Sequence, residues 1–325
     1  MYGRERLSRP WLGSRPSRLP GVARITQGTE RTDLIQTENI GPSEVVDHAP
    51  LGALGQLWML LRCFRNWPTV GARLALSVLT KRPPGRRPLY LRTRAGPVLT
   101  VPPGDGAWCT VVEVFGRDAY RLGAMEITTR APVFIDVGAN IGAFALDVCL
   151  RWPSARVVCL EPAPGAFAHL TSNLRANGCT TRVKAIAAAV TGDPAASIMS
   201  LFERPSDSCT STTVEAFAHT PARPPGRWLR VPAVWMDHVL ASFEGGVDCL
   251  KMDVEGAEYD IVRGTRLETL RQLRHVVLEY HPVPERELAE LVERFAQAGL
   301  VWKRWERSPE LGRGVCWFAA SSGAA

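Results

Sequence analysis

The chain lacks the segments that would assign it to several other classes of protein. Its longest uncharged apolar window spans residues 51–61, whereas a helix that crosses a bilayer needs about 20 residues. The N-terminus has no contiguous apolar core of the kind that a secretory signal contains. The eight cysteines form no C-x-x-C pair, which argues against a zinc or redox motif. Because several cysteines fall inside apolar segments, we predict free thiols in a reducing cytoplasm.

Acidic residues are outnumbered by basic ones, which gives a formal net charge of +7 and a pI near 9.2. Such a balance occurs in proteins that bind nucleic acid, an anionic membrane or an acidic substrate. Here arginines cluster near the N-terminus, in a stretch rich in proline and glycine. We therefore predict a basic, disordered extension over residues 1–50. Hydrophobic residues make up 46% of the 325 residues, enough for a full core in the remainder.

Residues 51–130 are predicted to form a cap of helices and strands. A helix covers residues 51–80, two short strands lie within 89–101, and a further helix or turn covers 111–122. The helix carries basic side chains and can contact a membrane surface through residues 51–79. We favour packing of this helix against its own domain.

Residues 131–320 show strands alternating with helices, the pattern of a doubly wound, mostly parallel α/β sheet. The predicted strands are residues 133–136, 156–160, 182–187, 247–254 and 275–280. The predicted helices are residues 143–152, 165–177, 236–243, 257–263 and 285–298. Residues 301–306 and 314–319 predict an antiparallel C-terminal hairpin at the sheet edge. Asp237 is expected in the first turn of its helix, where an acid stabilises the helix dipole.

Residues 133–142 read V-F-I-D-V-G-A-N-I-G and predict a nucleotide-binding turn. A buried apolar strand ends near Asp136, and Gly138 and Gly142 allow a sharp turn into a helix. Such a strand, turn and helix N-terminus hold the polar part of a nucleotide. Glu161 ends the next strand, at the spacing from Gly142 that suits a carboxylate binding ribose hydroxyls.

The identity of the nucleotide depends on two positions in this turn. Dinucleotide folds carry a glycine where this chain has Asn140, and Asp136 beside the site disfavours a pyrophosphate. A carboxylate suits a ligand with an ammonium group, such as S-adenosylmethionine. The predicted cofactor residues are therefore Asp136, Gly138, Asn140, Gly142 and Glu161. The adenine contact, expected near residues 188–190, is unassigned.

Residues 247–258, V-D-C-L-K-M-D-V-E-G-A-E, form an acidic strand end. A period of two places Lys251, Asp253 and Glu255 on one face, together with Cys249. Charges on a covered face need partners or a ligand, so either a Lys–Asp ion pair or a ligand site is expected. Ligands bind outside such strand ends in α/β sheets, which favours the site.

Removal of a proton from an acceptor hydroxyl requires a general base near this strand end. The candidates are Asp253, Glu279 and His281, and we favour Asp253 narrowly because burial can raise its pKa. Lys251 either polarises the acceptor or pairs with Asp253. A divalent cation held by Asp253, Glu255 and Glu279 is an alternative that we do not favour.

The motifs D-V-G-A-N-I-G, L-E-P-A-P, N-L-R-A-N-G, L-K-M-D-V-E-G-A-E and V-L-E-Y-H-P occur in this order. In this the chain resembles the FkbM family of S-adenosylmethionine-dependent methyltransferases over residues 65–319. The segments N-W-P and E-V-F, which begin at Asn66 and Glu113, are similar to that family as well. The resemblance implies a Rossmann-like class I methyltransferase that methylates a hydroxyl group of a sugar, glycolipid or polyketide-type natural product. The N-terminal extension and residues 203–227 depart from the family pattern, and we expect the latter to form a lid or a mobile loop.

Two other functions remain open at this point. A non-catalytic binding protein could keep the nucleotide fold, although Glu161 and the acidic strand end argue against it. A nucleic-acid methyltransferase would fit the positive charge. However, the D-P-P-Y or N-P-P-Y of amino-group methylases is replaced by K-M-D-V-E-G, and an acidic strand end repels phosphates. We therefore expect a small-molecule or glycan acceptor and no nucleic-acid partner. The oligomeric state is not predicted.

Overall fold

An eight-stranded sheet forms the centre of the computed structural model, which describes residues 41–47, 53–80, 88–102, 106–204, 207–218, 225–308 and 313–321. The strands are β1 (Glu44–Asp47), β2 (Leu89–Arg92), β3 (Val98–Val101), β4 (Val133–Val137), β5 (Arg156–Leu160), β6 (Val183–Ile186), β7 (Ala189–Thr191), β8 (Ile198–Glu203), β9 (Arg227–Trp235), β10 (Val247–Met252), β11 (Leu273–Tyr280), β12 (Leu300–Ser308) and β13 (Arg313–Ala320). The helices are α1 (Ala53–Cys63), α2 (Trp67–Thr80), α3 (Trp108–Arg117), α4 (Ala143–Arg151), α5 (Pro164–Ala176), α6 (Glu215–Ala218), α7 (Met236–Ala241), α8 (Glu258–Gly264), α9 (Leu267–Leu270) and α10 (Leu288–Gln297).

The strand order of the central sheet is β1-β12-β13-β11-β10-β4-β5-β6. Neighbouring strands from β11 to β6 are parallel. Strand β13 runs antiparallel to both β11 and β12. The predicted α/β fold, a mostly parallel sheet with an antiparallel C-terminal hairpin, is thereby confirmed.

The outermost strand on the hairpin side is β1, not the hairpin itself. It pairs in parallel with β12, and ion pairs join Glu44 to Arg304 and Asp47 to Arg307. The prediction of disorder was therefore wrong for residues 44–47, whose four-residue strand depends on a partner about 260 residues away. The part of the predicted extension before Gly41 lies outside the described residues.

Helices cover both faces of the central sheet because its strands are apolar on both sides. Every residue of β4 is buried. Phe134 belongs to the core shared with α1, α3, α4 and α5, whereas Ile135 and Val137 belong to the core shared with α7, α8 and α10. The two cores confirm the doubly wound arrangement.

The helix predicted over residues 51–80 is in fact two helices, α1 and α2, which separate at Asn66. The side chain of Asn66 accepts a hydrogen bond from the backbone N–H of Arg92 at 3.0 Å and donates one to the carbonyl of Tyr90 at 2.8 Å. These two hydrogen bonds hold the segment between α1 and α2 against β2. Pro68 lies in the first turn of α2, where proline is tolerated. Periodicity does not reveal the break, because both helices are apolar.

Helix α1 packs on the core through Met59 and Leu60 and leaves Leu54, Leu57 and Trp58 exposed. Within the described ranges, no helix combines the length and the apolar character that a bilayer crossing requires. The cap and the central sheet belong to one compact unit, and the boundary predicted at residue 131 stays a prediction.

A second sheet, in the order β7-β9-β8, was not predicted. Strand β9 runs parallel to β7 and antiparallel to β8. Pro232 lies within β9, and a proline inside an apolar run argues against a strand when only the sequence is read. Strands β8 and β9 flank the segment between Glu203 and Arg227. The side chains of these two residues form an ion pair at 2.9 Å.

Asp237 lies in the first turn of α7, as predicted, and its fully buried carboxylate also holds the neighbouring helix in place. It accepts hydrogen bonds from the Thr269 hydroxyl and from Nε of Arg266, the latter at 2.8 Å. The backbone N–H of Arg266 donates to it at 3.3 Å. The carboxylate therefore fixes the start of α9.

Replacement of Asp237 by alanine should lower the free energy of unfolding by about 2–3 kcal/mol, because Thr269 and Arg266 lose a charged acceptor. We expect no larger loss of stability, because the Arg266 side chain is half exposed and solvent weakens its ion pair with Asp237. Urea denaturation monitored by circular dichroism measures it. The control, Glu268→Gln, changes an exposed carboxylate 3.9 Å from the same arginine and should cost less than about 0.5 kcal/mol. Equal losses in the two variants would contradict this role of Asp237.

Candidate active site

A cavity opens beyond the carboxyl ends of β4, β5 and β10. Ligands of open α/β sheets bind at this edge. The charged, hydroxyl-bearing and amide-bearing side chains that line it are Thr110, Tyr120, Asn140, Glu161, Ser208, Ser211, Thr213, Lys251, Asp253 and Glu255. The cavity thus brings the predicted cofactor turn and the predicted acidic strand end together.

The turn after β4 requires glycine at both predicted positions. Gly138 has φ +76°, and a Cβ there would lie 1.8 Å from the carbonyl oxygen of Asp253. Gly142 has φ +89°, and a Cβ there would lie 2.7 Å from the Leu170 side chain. The first glycine lets the turn approach the end of β10, and the second lets α4 pack against α5.

Glu161 lies at the cavity wall and binds the turn directly. Its carboxylate accepts hydrogen bonds from the backbone N–H groups of Asn140 at 2.7 Å and Ala163 at 2.8 Å. Burial raises the pKa of Glu161 to about 7, although these two bonds oppose the shift. Each oxygen keeps a lone pair for a further donor, so the carboxylate can accept bonds from two hydroxyl groups of a ligand.

Asn140 has a left-handed backbone, with φ +47°, and its side chain meets the segment after β8. The amide oxygen accepts a hydrogen bond from the Ser208 hydroxyl at 3.3 Å, and the amide nitrogen lies 3.3 Å from Sγ of Cys209. The segment that we expected to be a lid or a mobile loop therefore closes over the turn at these residues.

Asp136 does not line the cavity, contrary to the ligand contact that we expected. It is fully buried, and its Oδ1 lies 3.2 Å from Nζ of Lys251. The two residues are register neighbours on β4 and β10. Burial raises the pKa of Asp136, and the lysine opposes the shift. Asp136 is therefore placed to hold Lys251 rather than a ligand.

Lys251 joins the two halves of the site. Its ammonium donates to the carbonyl oxygen of Gly138 at 2.8 Å, lies 3.7 Å from Oδ2 of Asp253 and lies 5.6 Å from the centre of the Tyr120 ring. Burial by itself lowers the pKa of Lys251, but Asp136 and Asp253 raise it to about 12. The lysine is therefore a fixed cation, and the Lys–Asp ion pair considered from the sequence exists beside the cavity rather than instead of it.

Asp253 and Glu279, two of the candidate bases, lie close together. Asp253 follows β10, lines the cavity and has a side chain 25% exposed. Glu279 lies in β11, where burial and then Asp253 raise its pKa to about 8. Its Oε1 lies 3.4 Å from Nη1 of Arg313. Asp253 is thus the candidate base that reaches the cavity directly.

His281, the third candidate base, is buried among carboxylates. Its Nδ1 lies 3.0 Å from Oε1 of Glu258, and its Nε2 lies 3.7 Å from Oε1 of Glu255. Burial alone lowers the pKa of His281, but Glu258, Glu255 and Glu279 raise it to about 10. An imidazole that is already protonated near neutral pH cannot accept a proton from an acceptor, which argues against His281 as the base.

The three residues that could bind a metal ion in the structure differ from the three that we considered from the sequence. The chain turns after β10, at Glu255 with φ +50° and Gly256 with φ +104°, so strand periodicity ends before Glu255. Among the described residues, the group that could hold an ion is Asp253, Glu279 and His281. His281 thus takes the place of Glu255.

Tyr120, Glu113 and Arg313 are among the side chains of this region that were not predicted from the sequence. Tyr120 lines the cavity. Burial and then Asp253 raise the pKa of Glu113 in α3, and Arg313 pairs with Glu279. The E-V-F segment, which is similar to the family, was the feature of the sequence that could have indicated Glu113. No feature of the sequence indicated Arg313, because the antiparallel pairing of β13 with β11 brings it to the site.

The sheet order, its reversed strand and the glycine turn followed by an acid at the tip of the next strand define a Rossmann-like methyltransferase fold. Within that class, the family model described as the methyltransferase FkbM domain matches residues 136–300. The chain belongs to the FkbM family of methyltransferases, as its motifs predicted.

Two related proteins match a similar part of the chain. Methyltransferase sdnD of Sordaria araneosa is 27% identical over 189 residues, which cover 51% of this chain and 72% of that protein. The 31-O-demethyl-FK506 methyltransferase FkbM of Streptomyces tacrolimicus is 30% identical over 191 residues, which cover 53% of this chain and 73% of that protein.

The crystal structure of methyltransferase FkbM from Methylobacillus flagellatus KT matches with a TM-score of 0.40 and 13% identity, over 62% of this chain and 46% of that one. The match thus spans less than half of the solved chain.

Binding of S-adenosylhomocysteine should weaken as the pH falls, because the pKa of Glu161 is about 7 and its carboxylate is the form that accepts hydroxyl bonds. If binding requires the ionised form, the dissociation constant should be about tenfold higher at about pH 6 than at about pH 8. Calorimetric titration across this range measures it. Glu161→Gln should bind more weakly and show a flat profile. A pH dependence that persists in that variant would assign the effect to another group.

Proposed function

We propose that this chain is an S-adenosylmethionine-dependent O-methyltransferase that acts on a hydroxyl group of a sugar, a glycolipid or a polyketide-type natural product. The observation that supports it most directly is a cavity whose lining includes carboxylates from two different strand ends, Glu161 after β5 and Asp253 after β10. The first suits the ribose of the donor, and the second suits the hydroxyl of the acceptor.

The residues beside the first carboxylate fit the methyl donor. Glu161 is desolvated and has no cationic side chain within ion-pair distance among the described residues, so its remaining lone pairs are available to ribose hydroxyls. The backbone of Gly138 and Asn140 forms the adjoining wall, and Ala188 to Val190 line the cavity near the end of β6. These small apolar residues suit an adenine ring. S-adenosylmethionine, when bound, supplies the methyl group as an electrophilic carbon.

Asp253 is the proposed general base toward the acceptor. It lines the cavity and is partly exposed, so a hydroxyl group can reach its carboxylate. Lys251 holds one side of that carboxylate at 3.7 Å, which fixes its direction. Positioning of the acceptor oxygen and removal of its proton are the tasks that methyl transfer leaves to the protein.

The proposed acceptor class is supported by the cavity wall and by the relatives. Ser208, Ser211 and Thr213 present hydroxyl groups to the cavity, which suits an acceptor with several hydroxyls. The Streptomyces tacrolimicus relative is a 31-O-demethyl-FK506 methyltransferase. The acidic groups around Asp253 disfavour a phosphate backbone, which argues against a nucleic-acid acceptor.

A panel of glycosides, polyols and macrolides, incubated with methyl-labelled S-adenosylmethionine, tests this function. We expect label on oxygen of at least one acceptor. Asp253→Asn should lower kcat by about 10²–10⁴-fold, because the proton acceptor is lost, and should change the affinity for S-adenosylhomocysteine by less than about threefold. Glu244→Gln, on an exposed turn before β10, is the control and should keep full activity. Donor binding without transfer to any acceptor would favour the non-catalytic binding protein.

We also propose that the exposed side of α1 rests on an anionic membrane surface. Leu54 is 83% exposed and Trp58 is 52% exposed, and the Arg62 guanidinium lies 4.5 Å from the Trp58 ring centre. Apolar side chains next to a cation are typical of helices that lie at an interface. Co-sedimentation with phosphatidylglycerol vesicles should fall in Leu54→Ser/Trp58→Ser. Ile198→Ser, at an exposed apolar residue of β8, should not change it. Equal loss in both variants would argue against α1 as the contact.

A further inference from the structure

His281 has one ring nitrogen that lacks a hydrogen-bond partner among the described residues. The residue is only 3% exposed. Its Nδ1 lies 3.0 Å from Oε1 of Glu258, whereas its Nε2 makes no hydrogen bond with any described residue. Buried polar atoms are nearly always hydrogen-bonded, so such an atom calls for a further ligand.

The unpartnered nitrogen faces other potential ligand atoms. Nε2 of His281 lies 3.9 Å from Oε1 of Glu279. One ligand atom each from Asp253, Glu279 and His281 lies within 4.8 Å of the other two. Ligands of an octahedral ion at about 2.1 Å are separated by about 3–4.2 Å. Side-chain movements below about 1 Å would therefore bring the three atoms into the first coordination sphere of a single ion.

The surrounding charge favours a cation. Four carboxylates, those of Asp253, Glu255, Glu258 and Glu279, lie around the imidazole. Lys251 pairs with Asp253, and Arg313 pairs with Glu279. Carboxylates that lie this close to one another repel, and a bound cation relieves that repulsion.

Glu258 is positioned to orient His281 without itself binding the ion. Metal-bound histidines usually donate their second N–H to a carboxylate, which fixes the ring orientation. Glu258 is fully buried, and its Oε1 also accepts the backbone N–H of Val254 at 3.1 Å. The same carboxylate therefore orients His281 and the loop that carries Asp253.

We propose that Asp253, Glu279 and His281 bind one divalent transition-metal ion and that Glu258 orients His281 from the outer shell. Two carboxylates and one imidazole suit Mn²⁺, Fe²⁺ or Zn²⁺. Asp253 brings the ion to the cavity wall. The role of the ion in catalysis rests on the proposed function: it binds the acceptor hydroxyl and lowers its pKa, while the second oxygen of Asp253 takes the proton.

Titration of the untagged full chain with MnCl₂, followed by electron paramagnetic resonance, tests the site. We expect loss of the free Mn²⁺ signal up to one ion per chain, and electron spin echo modulation from one coordinated imidazole nitrogen. His281→Asn and Asp253→Asn should each weaken Mn²⁺ binding by at least about tenfold, and Glu258→Gln by about 10–100-fold. His275→Asn is the matched control, because His275 lies in β11, the strand that precedes His281, and its Nδ1 lies 3.0 Å from the carbonyl oxygen of Asp248.

No binding of Mn²⁺ by the wild-type chain, or no nitrogen modulation, would overturn the site without any variant. Binding that His281→Asn and Asp253→Asn leave unchanged would place the ion elsewhere and would also overturn it. Titration of the same samples with S-adenosylhomocysteine separates this proposal from the proposed function. Donor-product binding without Mn²⁺ binding rejects the metal alone, and loss of both rejects the two proposals together.

Discussion

The buried ammonium of Lys251 is the interaction on which the rest of the site depends. It joins Asp136 in β4, the carbonyl of Gly138 in the turn and Asp253 beyond β10. A buried charge is tolerable only with such partners, so the lysine fixes the relative positions of the glycine turn after β4 and the end of β10. The approach is close enough that Gly138 has no room for a side chain.

Buried carboxylates surround the site, and their burial and mutual repulsion change the pKa values of its residues. Glu161 and Glu279 have pKa values raised by burial, to about 7 and about 8. The carboxylates around His281 raise its pKa to about 10. The carboxylates that line the cavity, Glu161, Asp253 and Glu255, are thus embedded in a region suited to hydroxyl and cationic ligands.

The fold was largely predictable from local patterns, and the exceptions share a cause. Buried apolar strands, glycine turns and the alternation of strand and helix depend on a few neighbouring residues, so they can be read from the sequence. The break at Asn66, the strand at residues 44–47 and the strand that contains Pro232 depend on partners distant in the chain. Local periodicity carries no information about such partners.

The sequence by itself determined the family, the glycine turn and the carboxylate at the tip of β5, because each depends on residue types at short, fixed spacings. Only the tertiary structure decided which groups the charged residues contact. Asp136 faces Lys251 rather than the cavity, and His281 belongs with Asp253 and Glu279. Protonation and ligation depend on burial and on distances between side chains of separate strands. Those quantities are fixed only when the sheet and its covering segments pack together.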